Sequence, residues 1–274
     1  MESLQGGGCR QLRESGGYIR ETASLLTDMA VRDLSSSYRD AAGGYVWLFA
    51  KSAVTVLVYY IVFQVFFGMS ETNSGAPYAL WFLSGMLPWI FFAETLGGGT
   101  GCYQEYSCLV KKIRFPVRLI PIVKVFSGLC VHLFFLAFFS AVSVFCNHFM
   151  RISLVFLIYA VLCLCVYTGL LVSVFSLIRA FFRDVSDLIG LLLQAGIWMV
   201  PILWDFSRVP GPYRMVFAWN PLFHVIQGYR RGLGCGGEEL FRLSGILFWL
   251  HCILLACCTE LAYRKLIHHL ADVL

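Results

Sequence analysis

The sequence predicts an all-α integral membrane protein. It has six transmembrane helices, an N-terminal amphipathic interfacial helix, and a re-entrant outer hairpin before the last span. Three observations predict this. First, the 274 residues are 59% hydrophobic and only 14% charged, with a mean hydropathy of +0.74, whereas soluble domains sit near about 45–50% apolar and about 25% charged. Second, apolar runs recur at the roughly 20-residue length that carries a helix across about 30 Å of hydrocarbon. They lack period-two alternation, so helices fit and a β-barrel does not. Third, the 21 Lys and Arg fall in clusters between those runs, as topology signals do.

Residues 1–17 are Gly-rich and polar with no apolar core. They read as a disordered segment rather than a cleaved signal peptide, so the first span directs insertion. Residues 18–44 hold the interfacial helix and the lead-in to the first span. Ile19, Ala23, Leu26, Ala30 and Leu34 recur at helical spacing, opposite Arg20, Glu21, Thr27, Asp28 and Arg32, which predicts a helix lying along the membrane surface. The alternative, a soluble helix packed on another domain, has no such domain to pack against. The transmembrane domain then covers 45–265, with 266–274 as a cytoplasmic tail.

By the length rule the spans run Tyr45–Phe67, Leu80–Gly101, Leu119–Cys146, Ile152–Ile178, Val185–Trp204 and Phe241–Ala262. Pro88 interrupts the second and removes one backbone bond. Residues 205–235 contain Pro210, Pro212 and Pro221 among apolar pieces too short to span, which predicts a re-entrant or interfacial hairpin.

Orientation follows from charge. Arg10, Arg13, Arg20, Arg32 and Arg39, then Lys111, Lys112, Arg114 and Arg118, then Arg179 and Arg183, then Arg264 and Lys265 all fall on one side. Both termini are therefore expected in the cytoplasm. Arg208, Arg214, Arg230 and Arg231 fall on the other side. That breach is tolerable if the hairpin is buried in protein or binds something anionic.

Several function classes are disfavoured. The cationic clusters are not interleaved with aromatics along a soluble groove, so nucleic-acid binding is not expected. The 11 cysteines mostly sit in or beside apolar runs, where Cys behaves as a small hydrophobe. Their spacing suggests no zinc site. The cluster Gly97-Gly98-Gly99-Thr100-Gly101 lacks the lysine of a phosphate loop, so ATP binding and catalytic residues are not expected on this chain. Glu94 lies inside the second span and reads equally as a functional carboxylate or as one arm of an interhelical hydrogen bond. Lys51 near the first span's inner end either snorkels to the surface or contacts a substrate phosphate.

Several strings occur together in order. They are L-P-W-I-F-F-A-E-T-L around Pro88, Trp89 and Glu94; V-K-K-I-R-F-P-V-R-L-I-P across 110–121; Tyr38-Arg39 followed by Gly44 and Trp47; Phe181-Phe182-Arg183-Asp184-Val185 followed by Gln194 and Pro201-Ile202; and Asn220-Pro221-Leu222 followed by Gly228-Tyr229-Arg230. The set, spread over about residues 18–265, resembles the permease subunits of ABC-type exporters of polysaccharides, which serve O-antigen, capsule and teichoic-acid export. One departure stands out: the family's polar-Pro break in the first span is replaced here by Phe49-Ala50-Lys51-Ser52.

The resemblance implies a homodimer of six-span subunits in the bacterial plasma membrane, each bound to a cytoplasmic ATPase that carries ATP and Mg. It places Lys111, Lys112, Arg114, Phe115, Pro116, Arg183 and Asp184 at the ATPase contact. Arg39 and Lys51 would sit at the inner mouth, and Pro88, Trp89, Glu94, Asn220 and Pro221 along the channel or gate. The implied function is export of a lipid-linked glycan among membrane lipids. One alternative is an exporter of the same architecture for drugs or small lipids. Another is an integral-membrane enzyme or secondary transporter, which would need buried acid pairs or a His–carboxylate set; inverted repeats are not evident either.

Overall fold

In the computed structural model the described residues are 24–34, 46–66, 68, 77–111, 117–145, 152–237 and 240–273. Every extended regular element among them is a helix. Helix α1 covers 24–34. It is followed by α2 (Val46–Tyr60), which continues as a π-helical stretch Ile61–Phe66, and by α3 (Tyr78–Gly99). Two short helices, α4 (Cys102–Glu105) and α5 (Ser107–Val110), lead to α6 (Leu119–Phe145), α7 (Leu154–Phe181) and α8 (Val185–Met199). A 3₁₀ turn (Phe206–Arg208) precedes α9 (Gly211–Ala218) and α10 (Pro221–Gly232), and α11 (Phe241–Val273) closes the chain.

Four helices are long and apolar enough to cross a membrane: Tyr78–Gly99, Leu119–Ala141, Leu154–Phe181 and Phe241–Ile267. They match the predicted second, third, fourth and sixth spans. The predicted first span is helical over 46–66 but changes winding at Ile61. The predicted fifth span stops at Met199 rather than Trp204, after 15 residues. The reason is local. Pro201 restricts the residue before it, and Val200 is extended at φ −113°, ψ 140°. Residues 200–203 then run as buried irregular backbone. Their carbonyls still find donors: Tyr78 donates to Leu203 at 3.1 Å and Arg230 to Ile202 at 3.5 Å, as buried backbone requires.

The centre of the bundle is α10. Its start is set by Asn220, whose side chain accepts from the Leu222 amide at 3.1 Å, with Pro221 at the first helical position. It packs against α3, α7 and α11. The contact with α7 depends on small residues one helical turn apart. A β-carbon at Gly228 would stand 2.9 Å from that of Ala160, and one at Gly232 would stand 2.8 Å from the Leu157 amide nitrogen. The Gly232 carbonyl also accepts from the Ser153 amide at 2.8 Å, joining α10 to the start of α7.

A main apolar cluster built on α3, α7 and α10 fills the middle of the bundle. A smaller one, with Cys102, Tyr103, Ile120, Leu177, Tyr263 and Leu270, ties α4 to α6, α7 and α11. This second cluster lies at the end that carries Lys111, Arg179, Arg183 and Arg264, here termed the basic end. The nine described cysteines are all free thiols.

Replacing Gly232 by Val should push α10 off α7. The expected outcome is a lower melting temperature in detergent, equivalent to about 1–3 kcal/mol of overpacking. Gly98→Ala, where a β-carbon meets open space, should leave it unlowered. Equal melting of both variants would show that the α10–α7 contact is not tight.

Candidate functional site

A cleft of about 1560 Å³ lies between α1, α2, α3, α6 and α8. Tyr59, Trp89, Phe91, Phe135 and Trp198 give it aromatic walls, and Thr55, Glu94, Thr95, Ser127, His132 and Gln194 give it polar groups. Trp89 is held in place from behind: a β-carbon at Gly196 of α8 would stand 2.8 Å from its ring, and it packs on Phe92 at 5.8 Å between centroids. Pro88 is buried inside an α3 that runs unbroken through it. Glu94 is half-buried on the cleft wall. His132 binds the Tyr229 hydroxyl at 2.6 Å and packs on Phe91, so α10 supports the cleft from behind. Flat aromatic faces beside hydroxyl, amide and carboxylate groups suit a ligand with both apolar faces and hydroxyls.

At one end of the cleft stands a polar node. Asp33 on α1 is only 5% exposed. It accepts from Lys124 Nζ at 2.5 Å, from the Tyr106 hydroxyl at 2.7 Å and from Ser127 Oγ at 2.8 Å. Lys124 also pairs with Glu105 at 2.7 Å and sits over the Tyr106 ring at 5.5 Å from its centroid. Burial first, then the hydrogen bond to Asp33 and the charges of Asp33 and Glu105, raise the Tyr106 phenol far above its ordinary range, so it stays a donor. The node joins three separate elements: α1, the α4–α5 connection and α6.

The basic end brings two predicted contact regions together. Gln104 donates to the Arg179 carbonyl at 3.3 Å. Gln104, Ser107, Phe181, Arg183 and Val273 line a small hollow of about 300 Å³. Lys111, Arg183 and Asp184 are exposed there. Lys112, Arg114, Phe115, Pro116 and Arg39 lie outside the described residues, as does the side chain of Lys51. Behind this face Tyr103 and Tyr263 share a hydrogen bond. Glu260, which its sequence position places in the last span, is exposed and pairs with Arg118 and Arg264, each at 2.9 Å.

At the opposite end Asn220 and Pro221 start α10. His224 is hydrogen-bonded on both ring nitrogens, to Tyr159 and to Ser244, each at 3.0 Å. Three of the four arginines that break the charge rule rest on aromatic rings. Arg230, 2% exposed, lies 3.7 Å from the Trp81 centroid, Arg231 4.0 Å from that of Phe156, and Arg214 5.6 Å from that of Phe206. Of the four, Arg230 is buried in protein, Arg214 and Arg231 are half-buried and Arg208 is exposed.

The Asp33–Lys124 node escaped the sequence reading. Its signals were there. Asp33 falls three residues after Ala30 on the apolar stripe of α1, and Lys124 is a lone cation early in an apolar span.

Lys124→Met leaves a buried carboxylate without its cation, an expected loss of about 3–5 kcal/mol. The double variant Asp33→Asn, Lys124→Met should recover much of it. Thermal unfolding of the single and double variants measures this, and an equal loss in both would deny the pair its role.

Residues 25–233 match the family described as ABC-2 type transporter. The chain is 25% identical over 208 residues to an O-antigen export system permease protein RfbA of Myxococcus xanthus, covering 75% of this chain and 78% of that protein. It is 26% identical over 239 residues to a protein of the same name from Klebsiella pneumoniae, covering 84% and 83%. A second RfbA of Klebsiella pneumoniae is 22% identical over 262 residues, covering 94% of this chain and 96% of that protein. With the matched region taking in α1 to α10 and several helices long enough to cross a bilayer, the chain is a multi-pass membrane protein of the ABC-2 type transporter family.

Proposed function

We propose that this chain is the permease subunit of an ATP-driven exporter that moves a lipid-linked polysaccharide, of the O-antigen, capsule or teichoic-acid type, across a bacterial plasma membrane. The observation that carries the reading is similarity to O-antigen export permeases along nearly the whole length of both chains. The cleft supports it, because its aromatic faces and scattered polar groups suit sugar rings.

In this proposal two copies form the conduit, with the first span supplied by 46–66 and the fifth by α8 and the irregular backbone that follows Met199. The cleft is bordered by α2 and α8. Both carry exposed apolar faces, including Val54, Leu57 and Val58 on α2 and Leu191, Leu192 and Trp198 on α8. A second copy set against those faces would close the cleft into a passage. Helix α1 would lie along the inner leaflet with Arg39 and Lys51 at the inner mouth, and 205–235 would form the outer hairpin, with Asn220 and Pro221 at the gate. Both termini would be cytoplasmic. ATP and Mg would act on a separate ATPase subunit, whose movement would press on the 107–118 segment and on Arg183-Asp184. Gln104, three residues before the first of these regions, is hydrogen-bonded to the helix that leads into the second.

Depletion of the chain in its native cell, with lipid-linked glycan quantified on each face of the membrane, tests the reading. Accumulation on the cytoplasmic face with loss outside is the expected outcome. Unchanged glycan on both faces would overturn this cargo and favour a small-substrate exporter of the same family.

A further inference from the structure

The Asp33 node joins elements that the proposed mechanism otherwise treats separately. Among the described residues, Asp33 is a polar anchor of helix α1. Within 24–34, Ala30 and Asp33 are the fully buried residues, and Asp33 accepts three hydrogen bonds from the rest of the protein. Asp33 and Leu34 also border the large cleft, beside Lys124, Ser127 and Gly128 of α6. Movement of α1 therefore changes one boundary of the cleft.

The other arm of the node leads to the α4–α5 connection. Lys124 is a single ammonium held by two carboxylates: Asp33 at 2.5 Å and Glu105 at 2.7 Å. Glu105 and Tyr106 are consecutive residues of the connection that runs on to Lys111. Tyr106 spends its hydroxyl proton on Asp33. A shift of that connection cannot leave Asp33 untouched. It must carry α1 along or exchange Asp33's partners, because both Tyr106 and the charge balance on Lys124 change with it.

We propose that Asp33 is a latch. It holds α1 against α6 at the end of the cleft, and displacement of the α4–α5 connection, transmitted through Glu105 and Tyr106, releases it. The latch makes α1 a moving border whose position is set by the same connection that would receive the ATPase stroke. This rests on the ATPase-contact reading of that connection but not on the identity of the cargo. Asp33 acts here as a positioning residue, through Lys124 and Tyr106.

Hydrogen–deuterium exchange of the complete transporter in nanodiscs, followed over residues 24–34, tests it. Amide exchange reads local release of a helix rather than global stability. Asp33→Asn keeps the shape of the side chain and removes its charge. It should speed exchange over 24–34 about tenfold while the amides of α7 and α10 keep their protection, and Asp33→Glu should restore much of the protection. Trapping the partner ATPase with ATP and vanadate should speed exchange over 24–34 in the parent protein.

Glu105→Gln cuts the second arm. Because Glu105 is 45% exposed, this variant keeps the test available even if Asp33→Asn fails to reach the membrane. In it, trapping should change exchange over 24–34 less than twofold. Unchanged exchange in Asp33→Asn overturns the latch. A parent protein that ignores trapping, or a Glu105→Gln variant that responds as the parent does, overturns its link to the connection. A negative result in the glycan experiment touches neither arm.

Discussion

The close approach of α10 to α7 is the constraint on which the other contacts depend. Gly228 and Gly232 allow backbone to meet backbone, so a short helix can sit in the middle of a bundle of long ones. Once seated, α10 presents polar side chains in several directions. Tyr229 reaches His132 on α6, His224 reaches Tyr159 and Ser244 on α7 and α11, and Arg230 reaches Trp81 on α3 and the carbonyl of Ile202. Each group is costly to bury alone and is buried with a partner. In apolar surroundings, where helix faces gain little from hydrophobic burial against one another, such directed contacts fix which neighbour goes where.

The same arrangement separates two ends with different chemistry. At the end of α10, Arg230 is internal and the rings of Trp81, Phe156 and Phe206 hold three of the four arginines. At the basic end, Lys111, Arg183 and Asp184 are left exposed over a small apolar cluster. The first end is arranged to stay together, and the second offers a surface. The cleft runs beside them with its aromatic wall backed by α8 and α10.

Much of this was legible in the sequence. The helices α3, α6, α7 and α11 follow from uninterrupted apolar runs, and each was placed within a few residues at its start. Pro201 carried the signal for the early stop of α8, since the residue before a proline leaves helical geometry, but the apolar character of 200–204 outweighed it. Trp89 and Glu94 line the cleft, while Pro88, between them and the helix start, is buried without bordering it. Asn220-Pro221 marked a helix start, a role that needs no gate to explain it. The Asp33 node was not legible, because Tyr106 and Lys124 stand 73 and 91 residues away in sequence. A carboxylate on an apolar stripe and a lysine in an apolar span each announce that a partner is needed. Neither names the other, since pairing is a property of the packed bundle.

The arginine-on-ring contacts have a consequence for how the chain is made. Arg214, Arg230 and Arg231 find their rings on residues from α3, the start of α7, the start of α11 and the turn before α9. Trp81, Phe156 and Phe206 precede their arginines in the chain, whereas Phe241, the second ring under Arg231, follows it. Synthesis therefore delivers α10 before Phe241 of α11, one of the two rings that Arg231 uses. The ring pair around Arg231 and the Ser244 bond to His224 are therefore complete only once the start of α11 has been made, although α10 itself sits in the middle of the bundle.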